Sequence, residues 1–195
     1  MKIAVFLLAV FSSFCSFSKD IKITNRSGRL VTISVDGDFY HGELSPKVIV
    51  TEVKAFDCRP CYAMEVNISS HVRDHFHGHR DVAFVSKFGR IGQLGLSAIK
   101  KVYCAVSLGG DEAIVKRILF KNPNENPANM AMIIGIDGDN YQSCLGSAKA
   151  LAWQNKELSD IASCQVPYYP SVYVNGKHYS ISSASQLIKI IESNL

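Results

Sequence analysis

Two cysteines stand three positions apart in FDCRPCYAME (residues 56–65), directly after a β-forming run and directly before a helix-compatible stretch. Such a pair is a structural staple, half of a metal site or a redox couple. A bridge across two residues closes a very small loop and constrains the unfolded chain less than a long-range one. A zinc ribbon needs a second ligand pair at matching spacing, and Cys104, Cys144 and Cys164 are isolated. The position favours redox chemistry. A helix opening at Cys58 sets that sulfur over unpaired backbone N–H groups and the positive helix end, which favour thiolate over thiol. Arg59 adds a cation beside it, and Pro60 is tolerated because first-turn N–H groups have no intrahelical partner. Cys58 therefore reads as an exposed nucleophile and Cys61, one turn inward, as a buried resolving thiol.

The N-terminus sets the compartment in which these thiols work. Lys2 precedes an apolar run over residues 3–11, and Ser16 and Ser18 suit the exit of a cleavable secretory signal over residues 1–18. The run is short for a bilayer span. Export to an oxidising compartment, a periplasm, turns thiols into disulfides or into tools for making them. Six cysteines less Cys15 leave five, an odd number, so at least one is free or pairs outside the chain. Composition adds exclusions: 47% hydrophobic and 19% charged residues suit a folded domain, and a net charge of +4, spread along the chain, gives no nucleic-acid footprint.

Periodicity supplies the architecture. Residues 30–35 alternate as a strand before a turn candidate at Asp36-Gly37-Asp38, and residues 48–56 form a central strand. A helix runs from the cysteines to about Phe76, and residues 81–88 form another buried strand, which makes a βαβ unit with a parallel pair. Helical spacing then covers 94–108, 111–120, 128–136 and 141–161. Strand character returns at 171–174, a tight Asn175-Gly176 turn follows, and residues 177–180 pair back. A helix over 184–193 closes the chain with Leu187, Ile188, Ile190 and Ile191 inward. The expected fold class is α/β with an inserted all-helical subdomain. The α/β domain begins over 19–88, the insertion covers 89–164, and residues 165–195 complete the α/β domain.

Pro170, just before the 171–174 strand, cannot donate to a ladder, and an aromatic–Pro bond at Tyr169–Pro170 samples cis readily. Together these features resemble the DsbA-like branch of thioredoxin-fold thiol oxidoreductases. The resemblance rests on Cys58 and Cys61 with Tyr62 following, the helical insertion, GIDGDNY at 135–141 and YPSVYVNGKHY at 169–179. It implies a thioredoxin fold, Pro170 as the cis-proline, and Tyr168, Tyr169 and Ser171 along a client-binding strand. It also places Glu52, six residues before Cys58, where the family carries a buried glutamate. Desolvation would raise its pKa and make it a proton shuttle for Cys61. The implied activity is donation of disulfides to reduced or unfolded exported proteins by a monomer without cofactor or metal, with reoxidation by a DsbB-type membrane oxidase. The alternatives are a reductase or isomerase of the same fold, or a copper-binding protein.

The chain departs from the family at three places. Arg59-Pro60 stands where Pro-His is usual, Tyr169 is bulkier than the usual Val or Thr, and Lys54 occupies a typically apolar position. Elsewhere, His71, His75, His77 and His79 fall near a helix end at Gly78, where histidine is favoured for its charge. Asp137-Gly138-Asp139 lacks the closing glutamate of a calcium loop and reads as a turn with Asp139 as a helix cap. One disulfide is expected among Cys104, Cys144 and Cys164, its connectivity open. Trp153 and its neighbours Leu151 and Ala152 read as core.

Overall fold

The computed structural model describes residues 20–35, 39–43 and 45–195; the expected leader over residues 1–18, Cys15 within it, and the turn candidate Asp36-Gly37-Asp38 lie outside the described residues. Strands β1 (Asp20–Thr24) and β2 (Leu30–Ser34) form an antiparallel hairpin. Strands β3 (Phe39–His41), β4 (Val48–Ala55), β5 (Val82–Gly89), β6 (Ser171–Val174) and β7 (Lys177–Tyr179) build a sheet in the order β3-β5-β4-β6-β7. Among the described residues only β4 and β5 run parallel, Val48 opposite Val82 through Ala55 opposite Gly89. That pair needs a crossover, and the helix between them supplies it.

The crossover helix is not uniform. It opens as α1 (Arg59–Met64), passes through a π-helical turn at Glu65–Ser69, and continues as α2 (Ser70–His75). The helical block comprises α3 (Gln93–Ser107), α4 (Glu112–Lys121), α5 (Pro127–Ile134), α6 (Gly138–Leu145) and α7 (Ala148–Cys164), and α8 (Ala184–Glu192) ends the chain. The expected single helix over 141–161 is thus two. The break falls at Gly146-Ser147, where the Ser147 hydroxyl accepts from Ala150 N at 3.1 Å and starts α7 afresh. The cap of α6 is Asp137, accepting from Asn140 N at 2.8 Å, and Asp139 falls inside the first turn instead.

Alternation along β4 and β5 sorts side chains to two faces. Val48, Val50, Val82 and Phe84 meet Val72 of α2 and Leu187 and Ile191 of α8 on one side. Val53 and Val85 meet the β1–β2 hairpin and Ile161 of α7 on the other. The helical block packs over the end of the sheet where β4 and β5 finish, around Phe56, Phe88, Phe120 and the cysteine pair. Trp153 joins that core, whereas Leu151 and Ala152, expected there too, face solvent on the opposite side of α7. At the far end, Asn175 and Gly176 adopt positive φ (47° and 79°), the backbone of a two-residue type I′ hairpin. Gly176 also lies so close to the Lys22 carbonyl that a Cβ would overlap it.

Candidate active site

The end of β4 delivers the cysteines. Cys58 is the N-cap of α1, with extended backbone (φ −122°, ψ 103°), and its Sγ accepts from Cys61 N at 3.2 Å. That first-turn N–H also donates to the Cys58 carbonyl at 3.0 Å, so the sulfur shares a donor at the positive end of the helix, where negative charge is stabilised. Cys58 and Cys61 are joined as a disulfide with Cα atoms 5.2 Å apart. Arg59 and Pro60 occupy the first turn and are exposed. Cys58 itself was expected at the surface and is 3% exposed. The bonded pair sinks into the edge of the large aromatic core, with Tyr62 and Tyr169 packed against that cluster.

The chain returns to this site at the start of β6, where the Tyr169–Pro170 peptide bond is cis. Ser171 is buried and its hydroxyl donates to the Tyr168 carbonyl at 2.7 Å, closing the turn. Tyr168 is half exposed, and its hydroxyl lies 3.2 Å from Ser180 Oγ. Pro60, Met64, Tyr168, Pro170 and Val172 line one groove, a cavity of about 610 Å³ that runs from Pro60, between the two cysteines, along α1 to β7. The Tyr169 phenol points elsewhere, over Gly89, where it fills the place a Cβ would take. Burial raises its pKa.

Glu52 is 2% exposed on β4, yet its carboxyl is not raised as expected. Desolvation pushes it up, but the Lys54 ammonium at 2.6 Å and the Arg73 guanidinium at 3.2 Å outweigh this and hold it below the usual range. The raised pKa expected of Glu52 is therefore not found: two cations hold its buried carboxylate ionised. The network itself went unforeseen. Lys54, fully buried, bonds both Glu52 and Glu65, and Arg73 bonds the same two. Lys116 of α4 lies 3.6 Å from Glu65 and 2.8 Å from Glu112, and Glu112 reaches His41 at 2.8 Å. Three carboxylates face three cations, so the buried cluster is neutral overall. Lys54, four residues before Cys58, and Glu65, four residues after Cys61, flank the cysteine pair along the chain. Burial alone would raise the Glu65 carboxyl; Lys54, Lys116 and Arg73 drive it far down instead.

Asp57, the residue before Cys58, is another site residue that sequence reasoning missed. Its carboxylate accepts from Ile91 N at 3.0 Å, Gly92 N at 2.5 Å and Gly95 N at 3.1 Å, capping α3 from a distant segment. Gly92, the local N-cap of α3, has no side chain for the task. The loop that carries the cysteines is therefore bolted to the start of α3.

Of the remaining cysteines, Cys104 and Cys144 form a disulfide, and Cys164 is a buried free thiol raised to about 11 by burial and by the nearby Asp160. His71 in the first turn of α2, His75 at its last residue, and His77 and His79 beyond it are all exposed, with His75 Nε2 3.7 Å from Glu192.

The chain belongs to the thioredoxin family: a family model described as Thioredoxin matches residues 34–193. Solved structures share its fold at low identity. BdbD from Bacillus subtilis, in its oxidised form, is 15% identical with a TM-score of 0.70 over 89% of this chain and 98% of that one. Alpha-DsbA1 of Wolbachia pipientis is 13% identical with a TM-score of 0.66, over 80% and 89%. MdbA of Actinomyces oris, a thiol-disulfide oxidoreductase, is 11% identical with a TM-score of 0.61, over 83% and 87%. No curated protein sequence matches the chain.

Proposed function

We propose that the protein is an exported thiol–disulfide oxidoreductase that donates its Cys58–Cys61 disulfide to reduced or unfolded proteins. The observation that carries this reading is the Cys58 sulfur at a helix start, accepting from Cys61 N, on a chain whose cis Tyr169–Pro170 bond lines the adjoining groove. A client thiolate attacks Cys58 Sγ; the Cys58–Cys61 bond breaks, a mixed disulfide forms, and Cys61 leaves as thiolate. A second client thiol, deprotonated, then attacks the client sulfur of that mixed disulfide. Cys58 leaves as thiolate, the client holds a new disulfide, and the enzyme is a dithiol. The helix end and Arg59 favour the Cys58 thiolate, which makes departure from the client downhill.

Pro170 keeps the loop beside the disulfide free of a backbone N–H, and the Tyr169 backbone accepts an extended client segment by strand addition. The groove bounded by Pro60, Met64 and Tyr168 takes the client's side chains. Reoxidation falls to a membrane oxidase of the DsbB type, and the protein works as a monomer in the periplasm after removal of residues 1–18. Refolding of a reduced, disulfide-containing protein tests the reading: the protein should accelerate native disulfide formation stoichiometrically, and Cys58→Ala should abolish that. Unchanged rates in the variant would overturn it.

A further inference from the structure

The end of β5 is held by a carboxylate from the helical insertion. β3 pairs with β5 from His41 opposite Phe84 to Phe39 opposite Ser86, so among the described residues Phe88 N lies past the end of that ladder. Glu157 of α7 takes it instead, its Oε2 accepting from Phe88 N at 2.7 Å. Its Oε1 accepts from the Lys87 ammonium at 3.0 Å. Glu157 is fully buried and Lys87 is 1% exposed. The Lys87 partner compensates the buried charge and fixes the carboxylate's orientation, so the acceptor for Phe88 N cannot turn away.

This clamp adjoins the residue that seats Tyr169. Gly89 follows Phe88, and the Tyr169 phenol fills the place of its Cβ. Alternation puts Lys87 and Gly89 on one face of β5. That face meets α7 through Val85 and Ile161, and Tyr169 packs against the same cluster. On its other edge Gly89 is paired with Ala55 of β4. The strand end beneath the tyrosine is thus fixed by β4 on one side and by Glu157 on the other.

We propose that Glu157 is a positioning residue for client capture. By holding Phe88 N it keeps Gly89 under the Tyr169 ring, and so keeps the Tyr169 backbone where a client strand pairs. This rests on the disulfide-donor reading above. Glu157 acts through the strand rather than on the sulfur atoms, so its loss weakens client binding and leaves the exchange step alone.

Single-turnover oxidation by the disulfide form tests this with two thiols: a reduced dithiol peptide, and reduced glutathione, which is too small to pair along the strand. If the wild-type protein oxidises neither, the donor reading falls and this proposal with it. Glu157→Asp keeps the charge beside Lys87 but is a methylene too short for Phe88 N. It should raise the half-saturating peptide concentration about fivefold, the size of one hydrogen bond's contribution, with the limiting rate and the glutathione exchange unchanged. Glu157→Gln keeps the reach and one acceptor oxygen and should raise it less. Should Glu157→Asp fail to fold, Lys87→Met with Glu157→Leu replaces the buried pair by apolar side chains, a change proteins often tolerate, and should raise it likewise. In a Tyr169→Ala background, with no ring to seat, Glu157→Asp should add nothing. An unchanged half-saturating concentration, the reverse order of the Asp and Gln variants, an equal slowing with glutathione, or additive losses with Tyr169→Ala would overturn the proposal.

Discussion

The Tyr169 phenol lies where a side chain on Gly89 would begin, so the residue before the cis-proline is seated on the end of β5 by a glycine. Gly89 is the last residue of that strand, opposite Ala55, three positions before Cys58. The seat keeps the bulky ring out of the redox groove, which explains how the chain tolerates tyrosine there.

Gly89→Ala should therefore expel the ring. The overlap with Tyr169 predicts a loss of about 1–3 kcal/mol, the usual cost of overpacking, read from urea unfolding. Client exchange should slow as the ring moves toward the groove. The double variant with Tyr169→Ala should recover most of the stability lost; additive losses would refute the seat.

Asp57→Ala should detach the redox loop from the insertion. Three backbone N–H groups lose their acceptor at once, and a cost of about 2–3 kcal/mol follows from capping and charge-assisted hydrogen bonding. Amide hydrogen exchange should rise at Ile91, Gly92 and Gly95 before it rises elsewhere in α3. Uniform exchange across the helix would contradict the local role.

How much of this was legible in the sequence depends on the range of the physics. The parallel βαβ pair, the Asn175-Gly176 turn and the helix start at Cys58 follow from local periodicity and turn chemistry, and each lies within two residues of its expected position. Lys54 and Glu65 were opaque. A charge can be buried only when partnered, and the partners come from β4, the π-helical turn, α2 and α4, which no local pattern connects. The same holds for Asp57, whose reach to α3 spans more than thirty positions, and for the choice of Cys144 over Cys164 as partner of Cys104. The missing cap at Gly92 was the one signal that could have pointed to Asp57.

Removing the Cys104–Cys144 bridge, which spans 40 positions, should destabilise the fold without touching the chemistry. Loop-closure entropy gives about 4 kcal/mol and, at this size, roughly 10 °C in Tm. The double Ala variant should keep its Cys58–Cys61 exchange at low temperature. Lost exchange in a folded variant would show that the bridge serves the site directly.

Acid should unfold the protein partly through the buried network. Burial pushes the Glu112 carboxyl up, but hydrogen bonds from His41 and Lys116 outweigh this and hold it at about 2, against 4.5 for an unperturbed glutamate. A folded pKa below the unfolded one contributes stability fully present above about 4.5 and lost as pH falls toward 2. Glu52 and Glu65 shift in the same direction. Urea midpoints should drop steeply between pH 5 and pH 3, and Glu112→Gln should flatten that slope. Lys54→Met, leaving two buried carboxylates short of a cation, should cost about 3–5 kcal/mol at neutral pH, and less in acid.

Equilibration of the Cys58–Cys61 pair against glutathione buffers, followed by thiol labelling, bears hardest on the donor role. Stabilisation of the Cys58 thiolate at the helix start predicts a reduction potential well above that of thioredoxin, which is about −270 mV, so that the pair gives up its disulfide to clients. A potential at or below the thioredoxin value would contradict that role.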